Sequence, residues 1–149
     1  IAIGTPNGSS YDPLGNPAAH SGASTAVIVD NTDPDSTATL TGSPFSDSLI
    51  DVDFTASDAN GITGVQLYYR IIGPPTRGSP PPFIAYPRGP FTTSPIVFDI
   101  TQTGGNGTYE IYTVATDAAG NEEDAPPTAD STFSVFSPTR IDSELYNLE

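Results

Sequence analysis

Two short loops bunch oxygen-bearing side chains around a glycine: Asp58-Ala59-Asn60-Gly61-Ile62 and Asp117-Ala118-Ala119-Gly120-Asn121-Glu122-Glu123. Carboxylate, amide and backbone carbonyl oxygens at this density suit a hard divalent cation. Ca2+ takes about 6–8 such oxygens at about 2.3–2.6 Å. A third acidic stretch, Asp30-Asn31-Thr32-Asp33-Pro34-Asp35, lies upstream. Zinc would call for His or Cys ligands, and the chain has no Cys and one His, His20, remote in sequence from all three stretches. Crowded carboxylates repel one another, and a shared cation turns that repulsion into attraction. The candidate ligands are Asp30, Asp33, Asp58, Asn60, Asp117, Asn121 and Glu122, with Asp35 and Glu123 close by in sequence. Asp, Asn and Gly are also ordinary turn residues, and acidic loops are commonly just solvated. The Ca2+ expectation therefore rests on whether the three stretches meet.

Whether they meet depends on the elements that carry them. Leu49 to Ala56 alternates as a strand, with Ile50, Val52, Phe54 and Ala56 on one face and Asp51, Asp53 and Thr55 on the other. Val65, Leu67, Tyr69 and Ile71 point inward from the next strand, and Gln66, Tyr68 and Arg70 outward. Ile96, Phe98 and Ile100 mark another. Tyr109, Ile111, Thr113 and Ala115 line one face of a further strand, and Ser131 to Phe136 forms the last. Thr37 to Thr41 supplies a strand near the beginning, after the apolar run Ala26 to Val29. No segment carries helical periodicity. Short strands divided by turn clusters predict an all-β, Ig-like antiparallel sandwich of about seven strands. Both acidic loops directly follow a strand of this series.

The segment 73–95 interrupts the series with a crowd of prolines. Proline cannot join a central ladder, so a long loop insertion is expected, with a short edge strand near Phe83-Ile84-Ala85-Tyr86. Residues 1–28, rich in Gly, Pro, Ser, Asn and Ala, read as a linker or arm. Residues 29–138 form the domain. Residues 139–149 form a tail whose last pair, Leu148-Glu149, looks like a cloning scar.

Composition narrows the function. The formal net charge is -14, which repels nucleic acid and anionic membranes and attracts divalent cations. No apolar run approaches the ~20 residues that span a bilayer. Without cysteine there is no disulfide, and without lysine there is no isopeptide staple, Schiff base or P-loop. The chain opens on Ile1 and contains no Met, so it reads as an excerpt of a longer precursor.

The run Gly107-Thr108-Tyr109-Glu110-Ile111-Tyr112-Thr113-Val114-Ala115-Thr116-Asp117-Ala118-Ala119-Gly120-Asn121 resembles strand F and the F–G turn of bacterial and archaeal Ig-like surface modules. Asp58-Ala59-Asn60-Gly61-Ile62-Thr63-Gly64-Val65 resembles their B–C segment. Val29-Asp30-Asn31-Thr32-Asp33-Pro34 resembles the junction between tandem modules, with a more distant likeness to cadherin linkers. The resemblance covers about residues 29–137, and the Pro/Arg segment departs from it. It implies an extracellular or cell-surface location and a spacer or adhesion role beside neighbouring domains of the same chain. It also implies that the three acidic stretches share one end of the sandwich. Tyr109 would be the tyrosine of the corner at the start of strand F, its hydroxyl bonding to upstream backbone.

Other candidates are weaker. His20 has no partner set for a triad. Asp51 and Asp53 could mimic a glycosidase pair, yet an exposed strand face accounts for both. Asn7-Gly8-Ser9 and Asn106-Gly107-Thr108 are sequons. Arg77, Tyr86, Arg88 and Phe91, with Arg70 and Phe83, offer stacking and bidentate hydrogen bonding to a glycan or protein ligand. The same residues could merely cover a sheet edge. The leading expectation is a non-enzymatic spacer module stabilised by Ca2+. The alternative is a ligand-binding module, carried on a secreted hydrolase or standing alone.

Overall fold

The computed structural model describes residues 29–73 and 79–136. The arm 1–28 with His20, the Asn7 sequon, Arg77 and the tail from 137 onward lie outside the described residues. Seven strands follow in order: β1 (Asp35–Thr39), β2 (Leu49–Ser57), β3 (Ile62–Ile72), β4 (Ile84–Ala85), β5 (Ile96–Asp99), β6 (Gly107–Asp117) and β7 (Ser131–Val135). A 3-10 turn, Ile100–Gln102, links β5 to β6, and Asp99 caps it by accepting from Thr101 N at 3.0 Å. The strands form two antiparallel sheets, ordered β1-β2-β5 and β4-β3-β6-β7. This is the expected Ig-like sandwich with its Pro-rich insertion between β3 and β5.

The inward faces are those that alternation marks. Ile50 and Val52 of β2 are buried while Asp51 and Asp53 are exposed. Val65, Leu67 and Tyr69 of β3, and Tyr109, Ile111, Thr113 and Ala115 of β6, are likewise buried. Phe98 of β5 enters a nest of rings. Its centroid lies 5.0 Å from Tyr86, 5.5 Å from both Tyr69 and Tyr109, and 5.9 Å from Phe133. The contacts with Tyr69, Tyr109 and Phe133 are edge-to-face, and each such pair adds about 0.5–1.5 kcal/mol beyond area burial. Tyr109 closes the corner as expected: its hydroxyl donates to Gly105 O and lies 3.1 Å from Thr103 Oγ1.

Both edges of the four-stranded sheet are finished by short or irregular backbone, the two-residue β4 included. The backbone of Phe45 binds β7, through Phe45 N to Ser134 O at 2.9 Å and Phe136 N to Phe45 O at 3.0 Å. The Pro-rich segment runs along the free edge of β3. Ile84 and Ala85 pair with Tyr69 and Tyr68, Tyr86 N donates to Leu67 O at 2.8 Å, and Phe91 and Val65 exchange two bonds of 2.8 Å. Its Phe83 ring lies 4.6 Å from Tyr112, so β6 is buried on its outer face as well, at Tyr112 and Val114. The Tyr86 hydroxyl accepts from Asp99 N at 2.9 Å and donates to Val97 O at 3.3 Å. It thus stands in for a missing strand at the edge of β5.

Register then sets which turns meet at one end of the sandwich. β3 and β6 pair from Ile72↔Thr108 to Ile62↔Asp117, so the turn before β3 and the turn after β6 sit side by side. Removing the Tyr86 hydroxyl orphans edge groups of β5, and Tyr86→Phe is expected to cost about 1–3 kcal/mol by urea denaturation. Arg88→Ala, on the same segment but exposed, is expected to stay within about 0.5 kcal/mol.

Candidate functional site

Each acidic turn is organised by its own aspartate. Asp58 Oδ1 accepts from Asn60 N at 2.7 Å, which tightens the turn and brings Gly61 to φ +89°. Asp117 Oδ1 accepts from Gly120 N at 2.6 Å and Asn121 N at 2.8 Å, with Gly120 at φ +94°. These backbone angles are open to glycine at no steric cost. The turns are tied together by Ala118 N to Gly61 O at 3.0 Å, and by the Thr63 hydroxyl, which lies within bonding distance of Thr116 O and Asp117 O.

The incoming segment joins the same end. Asn121 Nδ2 donates toward Asp117 Oδ2 at 2.8 Å, and toward Asp30 O and Thr32 O at 3.2 Å each. Asn60 Nδ2 donates to Asp30 Oδ2. Carboxylate oxygens of Asp30, Asp58 and Asp117 come within 4.8 Å of one another. Ligands on opposite sides of a Ca2+ ion are separated by about twice the 2.3–2.6 Å bond length, so this spacing fits one shared coordination sphere. The set is all oxygen, which suits a hard cation.

Of the expected ligands, Asp30, Asp58 and Asp117 form the cluster, and Asn60 and Asn121 contact it. Asp33 and Glu122 do not join it: both are exposed, and Glu122 serves through its backbone, bridged to Thr116. Its neighbour turns inward instead. Glu123 Oε1 accepts from Ser36 N at 3.0 Å, and Oε2 accepts from Ser36 Oγ and from Ala115 N at 2.9 Å. Asp130 Oδ2 accepts from Ala38 N at 2.8 Å and Thr113 N at 3.1 Å. These two carboxylates bind the free edge of β1 to β6 across the sandwich. Sequence reasoning did not single out Asp130, and an acid just before a strand carries no signal of this role.

The other candidate surface is dispersed. Tyr86 is only 2% exposed and belongs to the core, so it has no ring face for a ligand. Phe91 is half-buried against that core, and Arg88 is exposed. Arg70 is engaged: it pairs with Glu110 and lies 4.3 Å over the Phe83 ring. A cavity of about 320 Å³ lies nearby, between Tyr69, Ile71, Pro81, Pro82, Ile84 and Thr103. Asp51 and Asp53 are on an exposed strand face.

Comparison with protein-family models, curated proteins and solved structures finds no match.

Burial pushes the Asp117 carboxyl up. Hydrogen bonds from the side chain and backbone of Asn121, and from the backbone of Gly120 and Ala119, more than offset this and hold it below the ordinary carboxylate range. Its contribution to stability is therefore complete above that range and is lost as pH falls through the depressed folded value. Asp117→Asn is expected to flatten the stability curve below about pH 4 in urea titrations. Glu123→Ala strands donors on both sheets and is expected to cost about 2–4 kcal/mol. Glu122→Ala is expected to change stability by less than about 0.5 kcal/mol.

Proposed function

We propose that this domain is a non-enzymatic spacer module of an extracellular, multi-domain chain, and that Ca2+ braces the end where the incoming segment joins the sandwich. The observation that carries the reading is the meeting of Asp30, Asp58 and Asp117 within 4.8 Å, one from each of three segments. Asp30 belongs to the chain arriving at the domain, while Asp58 and Asp117 belong to its folded body. A cation shared among them would convert three mutually repelling groups into a clamp and restrict the angle at which the preceding chain leaves. Asp30, Asp58 and Asp117 would hold the ion, and Asn60 and Asn121, whose amide nitrogens donate to Asp30 and Asp117, would orient those carboxylates.

Composition and architecture support the same reading. The chain has neither cysteine nor lysine, so a bound ion is one of the few strong cross-links open to it. A net charge of -14 draws divalent cations. Two half-buried carboxylates outside the cluster, Glu123 and Asp130, are occupied in joining strands. A ligand-binding role through the Pro-rich segment has less support, because Tyr86 is committed to the core and that segment seals the β3 edge.

Preferential binding to the folded state stabilises it by about 2.7 kcal/mol at a ligand concentration a hundredfold above Kd. For a domain of this size that raises Tm by on the order of 10 °C. Scanning calorimetry in Ca2+ and in a chelator, at matched ionic strength, is expected to show such a rise, and Asp30→Ala to abolish most of it. Equal melting temperatures in the two buffers would overturn the proposal.

A further inference from the structure

We infer that the Asn60–Gly61 peptide is a self-modification site, where spontaneous deamidation places a fourth acidic group in the Asp30–Asp58–Asp117 cluster. Two Asn-Gly steps lie in the described residues, and the fold treats them differently. Gly107, after Asn106, begins β6, is paired opposite Val135, and is so close to Ile71 that a Cβ there would meet Cγ2 at 2.9 Å. Gly61 stands in a turn. Its N–H reaches Asp58 O at a long 3.4 Å, and nothing lies within 4 Å of where its Cβ would be. A bond of that length restrains its donor weakly. Asn60 and Asn106 are both exposed, so water reaches either, and the difference lies in the backbone of the following glycine.

The chemistry needs only water as a co-reactant. Gly61 N attacks Asn60 Cγ, and a new N–Cγ bond forms. The Cγ–Nδ2 bond breaks, and the nitrogen leaves as ammonia carrying the proton lost from Gly61 N. A five-membered succinimide remains. Water then adds to one of its two carbonyls. Cleavage of the Cγ–N bond gives aspartate, and cleavage at the main-chain carbonyl carbon gives isoaspartate, with the backbone rerouted through Cβ. No electron transfer is involved. In either product the amide donor that Asn60 Nδ2 presents to Asp30 Oδ2 is gone; in aspartate a negative charge stands in its place, and in isoaspartate the charge stands on the freed main-chain carboxylate beside it. Like charges at such a site disfavour one another unless a cation is shared.

The link to calcium rests on the function proposed above: an ion held by Asp30 would fix the carboxylate to which Asn60 Nδ2 donates and so restrain the side chain from reaching Gly61 N. The full chain, incubated at mildly alkaline pH, separates the two ideas. Peptide mapping by mass spectrometry, with isoaspartate detected by enzymatic methylation, reads Asn60 and Asn106 independently of Asn7. In chelator, Asn60 is expected to convert several-fold faster than Asn106 in the folded protein. In concentrated urea the two rates should approach each other, because both then report an unfolded Asn-Gly step. A folded-state ratio at or below the urea ratio would overturn the proposal. Slower Asn60 conversion in Ca2+ than in chelator supports protection by the ion. An unchanged rate overturns that protection alone and leaves the deamidation site standing.

Discussion

Phe98 sets the geometry on which the rest depends. It is the largest side chain of β5, and it projects from the β1-β2-β5 sheet into rings supplied by β3, β6, β7 and the Pro-rich segment. A sandwich holds its two inner faces about 10 Å apart, and a ring wedged among four others leaves little freedom in that spacing. Tyr109, one of the four, also anchors the turn ahead of β6 through its hydroxyl. The depth of the core and the start of β6 are thus set by one cluster. β6 in turn carries Asp117 to the end of the sandwich where β3 begins.

Side chains finish what the strands leave open. β1 has β2 on one side only, and its outward N–H groups at Ser36 and Ala38 meet the carboxylates of Glu123 and Asp130. Charge-assisted bonds of this kind are shorter and stronger than neutral ones. A row of unmatched donors at a sheet edge would otherwise invite another chain. Tyr86 does the same for β5 with a hydroxyl. No buried side-chain nitrogen or oxygen among the described residues lacks a partner. The acidity of this protein thus serves more than one physical role. Glu123 and Asp130 are spent inside as hydrogen-bond acceptors between the sheets, Asp30, Asp58 and Asp117 are gathered at one end, and acids such as Asp33, Asp51, Asp53 and Glu122 are simply exposed.

Much of this was legible from residue order. Alternation in Leu49–Ser57 specifies a strand and its inward face, because a two-residue period leaves only one face apolar; in Gly107–Asp117 it marks the strand, while Tyr112 and Val114 on the other face are buried too. The turn residues at Asp58–Gly61 and Asp117–Asn121 follow from side chains that bond their own backbone. The choice among neighbouring acids was not legible. Glu122 and Glu123 are chemically alike and adjacent, and a one-residue step decides which faces β1. Asp30 and Asp33 lie three residues apart in the same segment, and of the two Asp30 joins the carboxylates of the two loops. Tyr86 sits among prolines and beside Arg88, a context that suggests surface, yet its hydroxyl finds β5 and its ring finds Phe98.

The sequence by itself determined the class of fold, the number and order of strands, and the three acidic stretches. Those properties are written in local periodicity and in short-range side-chain to backbone bonding. Tertiary structure alone decided that Asp30, Asp58 and Asp117 stand together and that Asp33 and Glu122 do not. The reason is register: Ile62 lies opposite Asp117, and a slip of one residue would have turned every side chain to the other face.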